Sequence, residues 1–163
     1  MGRPAESDPA LFRMIKVRRA DFSEVEPVWS THLWDSRYKF KPISAMLFLG
    51  GYDAAIATNY TPVFLVAEVD GKMAGVSSCH ATSEVHSRVR GLYVFDEFRG
   101  LNVGIALIEA MIEEALKARR NFIWVAPRVP VVGLYEKMGF KTFSPPTNEG
   151  FLYGPNVYMG LEL

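Results

Sequence analysis

The length and composition of the chain indicate one globular domain without a large net charge of either sign. Its 163 residues are 49% hydrophobic and 13% aromatic, enough to bury about two-thirds of the unfolded surface. Lysine plus arginine and aspartate plus glutamate balance at 18 each, so nothing global draws the protein to nucleic acid or to an anionic membrane. We expect neither as a partner, and any polyanion site must be local.

Targeting signals and cysteine use favour a cytoplasmic protein. No apolar stretch is long enough to span a membrane, and the N-terminus lacks a signal-peptide pattern. The single cysteine, Cys79, excludes an intramolecular disulfide. Residues 1–10 hold two prolines, a glycine and charges, which predicts a flexible leader before a single domain over 11–163.

The first predicted elements are a strand and a helix. The run Arg13–Ala20 suits a strand, and Asp21 with Glu24 three residues later is a capping-box start for a helix to about Trp34. The aromatic-rich stretch 35–60 loses clear periodicity, apart from a second helix predicted over 43–49.

The aromatic residues of this stretch have two interpretations. They either pack as ordinary core and lid residues or form a wall of an acceptor pocket, since mobile aromatic segments often line such pockets. The substrate-binding candidates under the second interpretation are Trp34 and Tyr38.

The segment 62–95 predicts three antiparallel strands. Pro62–Val69 and Lys72–Ala81 are apolar runs joined by Asp70-Gly71, a dipeptide that supplies the positive φ of a tight turn. Val85–Phe95 is the third strand.

The segment Leu92–Ala118 predicts a strand, a glycine-containing loop and a long amphipathic helix. The helix prediction rests on apolar residues three or four positions apart, namely Leu101, Ile105, Ile108, Ile112 and Ala115. Its first amides lack partners within the helix, and small residues in the loop let a ligand come close. Phosphate is the expected ligand, and a simple strand-to-helix turn is the alternative.

The C-terminal part alternates short strands with one short helix. Asn121–Ala126 reads as a buried strand, and Pro130 suits the first turn of a helix that runs through Met138. Strands are then predicted at Lys141–Phe143 and Val157–Leu163.

Two motifs resemble the GNAT acetyltransferase superfamily. The first is its acyl-CoA loop, Arg-x-x-Gly-x-Gly/Ala, matched by Arg99 and Gly104 with Asn102 in the central glycine position. Asparagine is the residue after glycine that best tolerates positive φ, so the turn is retained. We expect that position 104 requires glycine, because a side chain there would intrude on the phosphates.

The second motif resembles the C-terminal element of the same family, Asn-x-x-Ala-x-x-Leu-Tyr-x-x-x-Gly-Phe. It is matched by Leu134, Tyr135, Gly139 and Phe140, whereas Arg128 stands in place of the asparagine. The two motifs occur in the order found in the family.

The resemblance implies a mixed α/β (α+β) fold, with a twisted, mostly antiparallel sheet of about six to seven strands flanked by about four helices. It implies transfer of an acetyl group from acetyl-CoA to a primary amine of a small molecule or peptide, by direct attack in a ternary complex without a metal. The alternatives are a non-catalytic CoA-binding module and a transferase of longer acyl groups. The acceptor and the oligomeric state are not fixed, and a homodimer stays open.

The resemblance also assigns roles to individual residues. The main-chain amide of Val94 would hold the thioester oxygen, and Tyr135 would protonate the departing thiolate. The implied CoA-binding set is Leu92, Tyr93, Val94, Arg99, Gly100, Leu101, Asn102, Val103, Gly104, Ile105, Arg128 and Tyr135.

The base that accepts the amine's proton stays open. Some relatives carry a glutamate six residues before the Val94 position, but Arg88 stands there and cannot accept a proton. His80, Glu84 and His86, acting through a water, are the alternatives.

Two arginines are candidates for contact with the acceptor. On strand alternation, Arg88 and Arg90 share a face with Leu92 and Val94 if no bulge intervenes. Two guanidiniums beside the acetyl group would favour an acceptor with a carboxylate, and a solvated strand face is the alternative.

Overall fold

The computed structural model describes residues 14–33, 61–148 and 154–163. They form one seven-stranded sheet with the order β1-β2-β3-β4-β5-β7-β6. The strands are β1 Ile15–Ala20, β2 Val63–Val69, β3 Lys72–Ala81, β4 His86–Val94, β5 Phe122–Val125, β6 Lys141–Thr142 and β7 Met159–Glu162. The α-helices of these ranges are α1 Phe22–His32, α2 Val103–Lys117 and α3 Val132–Lys137. Neighbouring strands are antiparallel except for β4 and β5, which are parallel.

All seven predicted strands are present, and the mixed, mostly antiparallel sheet is confirmed. The described ranges contain three α-helices against the about four expected. The helix predicted over 43–49, the leader over 1–10, and the candidates Trp34 and Tyr38 lie outside the described residues. Within those residues no helix is long and apolar enough to cross a membrane.

Helix α1 covers one face of the sheet. It begins with the predicted capping box, in which the Asp21 N–H donates to Glu24 Oε2 at 3.0 Å. Its apolar side buries Val25, Val28 and Trp29, which form one core cluster with Phe64, Val66 and Val76 of the sheet.

Helix α2 covers the opposite face. Its residues Leu107, Ile108 and Met111 are fully buried, and each such side chain contributes roughly 1.5 to 3 kcal/mol relative to exposure. The buried stripe differs from the predicted one, because Ile105 and Ile112 are only half-buried. Helix α3 packs on the same core cluster as α2 through Tyr135.

The sheet opens between β4 and β5. Their register joins only His86–Arg88 to Phe122–Trp124. Beyond Arg88, β4 continues to Val94 in pairing with β3 on its other edge, and among the described residues it has no strand partner on the β5 side. The opening lies at the carboxyl ends of two adjacent parallel strands, the usual place for ligands in sheets with such pairs.

Candidate active site

Strand β4 carries a bulge in its middle. Ser78 of β3 lies opposite Arg90, whereas Val76 lies opposite Tyr93, so two residues of β4 face one of β3. Gly91 is one of the two, with a φ of +71°. This left-handed conformation favours glycine, as in many bulges.

The carbonyl groups at the bulge are held by side chains. The Trp29 indole N–H donates to the Gly91 carbonyl at 2.8 Å, and the Ser78 hydroxyl donates to the Arg90 carbonyl at 2.8 Å. A Cβ atom on Gly91 would lie 2.3 Å from the Trp29 ring. Helix α1 therefore fixes the shape of β4 just before the opening.

The bulge changes which side chains share a face. Because paired residues point to the same side of a sheet, Arg90 lies on the face of Tyr93, and Val94 points to the other. The face-sharing of Arg88 and Arg90 with Val94, expected in the absence of a bulge, is therefore wrong. Arg88 and Arg90 are 5% and 9% exposed, and the Arg88 guanidinium lies 4.7 Å from the centre of the Trp124 ring.

The main chain of Val94 points into the opening. The Phe95 N–H donates to the Ala74 carbonyl of β3 at 2.9 Å. Successive residues of a strand direct their amides to alternate edges, so the Val94 N–H and C=O point away from β3. The Val94 carbonyl accepts a hydrogen bond from Arg99 Nε at 3.1 Å. The Val94 N–H is directed to the opening, where β5 no longer pairs with β4.

The loop Arg99–Gly104 joins this strand end to α2. Asn102 has a φ of +65°, which confirms the expected tolerance of positive φ at this position. The first helical bond of α2 runs from the Ala106 N–H to the Asn102 carbonyl at 3.0 Å. The amides before Ala106 are thus the unpaired first donors of a helix and suit an anion.

Gly104 brings three elements together. A Cβ atom on it would lie 3.1 Å from Leu134 Cδ2 and 3.8 Å from Val94 Cγ2. The absence of a side chain lets α2 pack against α3 and β4, and the expected room for phosphates stays a prediction. Strand β4, the loop and α3 meet at this point.

Tyr135 lies on α3 immediately after Leu134 and is 2% exposed. Its ring packs edge to face on Phe140, with 5.4 Å between ring centres. Burial raises the pKa of Tyr135 well above its usual range, so the phenol is protonated at neutral pH. A general acid must start in that state.

Cys79 is a poor nucleophile here. Burial raises the pKa of its thiol to about 12, and the thiolate is the form that attacks carbonyls. The only cysteine of the chain is therefore unsuited to carry an acyl group.

Arg128 follows β5 and is exposed. Its Nη2 lies 3.5 Å from the Leu33 carbonyl at the end of α1. This contact joins the end of α1 to the β5 side of the opening, and a role of Arg128 in CoA binding stays a prediction.

Two of the proposed bases, Glu84 and His86, lie away from the opening, and the third, His80, is buried. His80 is buried opposite Arg88. Glu84 and His86 lie near the amino end of β4, and at the rise of a strand Val94 is roughly 25 Å from His86. A water held by Glu84 or His86 cannot reach an amine at Val94.

A histidine without an assigned role lies at the opening instead. His32 is the last residue of α1 and is exposed. Its ring stacks on Tyr93 at 4.5 Å between centres and 13° between planes, and it meets Phe95 edge to face at 5.4 Å. No local sequence pattern could have found this residue, because its contacts are tertiary.

The sequence matches a known protein family. The family model described as "Acetyltransferase (GNAT) domain" matches residues 61–142, half of the chain. The chain belongs to the GNAT acetyltransferase family.

Solved structures share the fold at low identity. An IAA acetyltransferase from Bacillus cereus is 16% identical with a TM-score of 0.68, over 92% of this chain and 100% of that chain. Arabidopsis thaliana Naa50, in complex with the bisubstrate analogue CoA-Ac-MVNAL, is 15% identical with a TM-score of 0.66, over 91% of this chain and 99% of that chain. The ribosomal-protein-S18-alanine N-acetyltransferase of Escherichia coli is 17% identical with a TM-score of 0.59, over 91% of this chain and 94% of that chain.

Proposed function

We propose that this protein transfers an acetyl group from acetyl-CoA to a primary amine of a small molecule or peptide, by direct attack in a ternary complex. The observation that carries the proposal is the meeting of Val94, Gly104 and Leu134 at the opening. The proposal is supported because the strand end with the Val94 amide, the first amides of α2 and the helix that carries Tyr135 are neighbours at this point.

The described residues fit acetyl-CoA. The loop residues Arg99, Gly100 and Asn102 are exposed, and the amides at the start of α2 suit a pyrophosphate. The β5-side edge of β4 offers main-chain groups to an extended arm, as an added strand would use them. Acetyl-CoA supplies the activated acyl group when bound.

The chemistry follows from the same groups. The amine nitrogen attacks the thioester carbon, and the Val94 N–H stabilises the negative charge that develops on the oxygen. The C–N bond forms, the C–S bond breaks, and the Tyr135 hydroxyl donates its proton to the thiolate. Burial of Cys79 argues against an acyl-enzyme at this cysteine.

The acceptor is the open part of the proposal. We propose that Arg88 and Arg90, two buried cations on the face of Tyr93, favour acceptors that bear a carboxylate.

One assay tests the function. Thiol release from acetyl-CoA is measured across amino acids, polyamines, aminoglycosides and lysine peptides, each carboxylate being compared with its neutral amide. We expect turnover with at least one amine and better turnover with carboxylates. Faster reaction with longer acyl-CoAs would indicate the alternative transferase. Binding of acetyl-CoA without turnover of any amine would indicate the CoA-binding module.

Substitutions at Asn102 test the loop. Asn102→Gly should leave the acetyl-CoA Kd within about threefold, because glycine accepts a φ of +65°. Asn102→Val should weaken binding by about tenfold or more, since a β-branched residue is an outlier in this conformation and distorts the loop. Calorimetry on both folded variants makes the comparison, and equal affinities would contradict a loop-bound phosphate.

A further inference from the structure

We infer that His32 is the general base that accepts the proton of the acceptor amine. The inference rests on the proposed function and supplies the group that the position of Arg88 leaves missing.

The location of His32 carries the inference. Its ring lies flat on Tyr93, and Tyr93 is the residue directly before the proposed oxyanion donor Val94. Stacking fixes the plane of the imidazole, and exposure leaves its nitrogen edge accessible to an amine or to one ordered water. A fixed, accessible nitrogen is what a general base requires.

The two proton-transfer groups lie on opposite faces of the sheet. His32 ends α1, whose core cluster takes in Tyr93, whereas Tyr135 belongs to the core cluster of α2. A thioester placed in the opening between β4 and β5 would therefore meet its base from one side and its acid from the other. This arrangement would bring the base to the attacking nitrogen and the acid to the departing sulfur, which are different substituents of the tetrahedral carbon.

The other histidines are excluded by position. The chain has three, of which His80 is 4% exposed and His86 lies at the far end of β4. Histidine is the side chain that ordinarily changes charge between about pH 5 and 8, and is thus matched to proton acceptance near neutral pH. His32 alone meets the opening.

The groups around His32 come from several elements. Tyr93 lies beneath the ring, and the Arg99 guanidinium lies 5.6 Å from the same tyrosine ring. Asp96 pairs with Arg99 at 3.0 Å, and Arg128 contacts the carbonyl of the residue after His32. Among the described residues, the charged groups near this end of α1 are thus Arg99, its partner Asp96 and Arg128.

The proton balance of the step is complete. An ammonium acceptor gives one proton to the imidazole, and the free amine then forms the C–N bond as the C–S bond breaks. The nitrogen releases its second proton to solvent as the amide forms. Tyr135 protonates the thiolate and recovers its proton from solvent, and the imidazolium returns its proton to solvent.

A pH profile of kcat/KM tests the role. An imidazole that already carries its second proton cannot accept another, so the parent should lose activity in acid. His32→Gln should be about 10²-fold slower at neutral pH and lack this acid limb. His32→Phe keeps a ring on Tyr93 and should be equally slow. Added imidazole should partly restore His32→Gln, and His86→Gln should match the parent.

Two results would contradict the role of His32 as the base, and a third would contradict the proposed function itself. An acid limb that persists in His32→Gln, or parent-like rates in His32→Phe, would overturn the base and leave a stacking role. A parent that turns over no amine at any pH would overturn the proposed function, and this role with it.

Discussion

Tyr135→Phe is expected to lower kcat by about 10²- to 10⁴-fold, equivalent to roughly 3 to 5 kcal/mol in the barrier, because a positioned general acid contributes on this scale. The substitution removes one oxygen and keeps the ring on Phe140, so packing is retained. The acetyl-CoA Kd should change less than about threefold, well under 1 kcal/mol. Steady-state kinetics and calorimetry on the same preparation separate the two quantities.

The control for this experiment is Tyr158→Phe. Tyr158 stacks on Phe143 at 5.9 Å and belongs to neither α3 nor the loop Arg99–Gly104, so loss of its hydroxyl should leave kcat unchanged. If Tyr135→Phe turned over as fast as the parent, the thiolate would take its proton from water or from the substrate, and Tyr135 would have only a packing role.

Gly91→Ala is expected to lower the free energy of unfolding by about 3 to 5 kcal/mol, the sum of overpacking and of an unfavourable φ. The new methyl group would lie 2.3 Å from the Trp29 ring and must displace it. Displacement of the indole also breaks its hydrogen bond to the Gly91 carbonyl, so the main chain of β4 is held less firmly at the opening. Urea unfolding measures the change.

Two further variants separate these contributions. Gly71 has a φ of +78°, and a Cβ atom added to it would meet nothing within 4 Å, so Gly71→Ala carries only the backbone cost, roughly 1 to 3 kcal/mol. Trp29→Phe removes the indole N–H and should cost about 1 to 3 kcal/mol through the lost hydrogen bond. Equal losses for Gly71→Ala and Gly91→Ala would contradict a clash with Trp29.

The elements of this fold were predictable because their signals are local. The capping box at Asp21, the Asp70-Gly71 turn and the apolar runs of the strands act within a few residues. Asn102 was predictable for the same reason, since its φ follows from the chemistry of one side chain. The loop and Tyr135 were found through motifs that keep their spacing along the chain.

The arrangement of the site was less predictable because it depends on contacts between distant segments. A glycine inside a strand signals a bulge, and Gly91 carries that signal, but the bulge is fixed by Trp29 from another element. Strand alternation without the bulge put Arg88 and Arg90 on the wrong face. Periodicity likewise could not show that Gly104 faces Leu134.

The stacking of His32 on Tyr93 was also hard to predict, because it too is a contact between distant segments. The contact exists only because α1 ends where β4 leaves β5. The bases predicted from the sequence are instead His80, which is buried, and Glu84 and His86, which lie at the amino end of β4.

Initial rates with both substrates varied test direct attack in a ternary complex most directly. Acetyl-CoA and the best amine of the panel are varied against each other, and thiol release is followed. If the amine attacks bound acetyl-CoA without an acyl-enzyme, double-reciprocal plots should intersect, and no acetylated protein should accumulate with acetyl-CoA alone. Parallel lines with a stoichiometric burst of thiol would contradict the proposal, because they indicate a covalent acyl-enzyme.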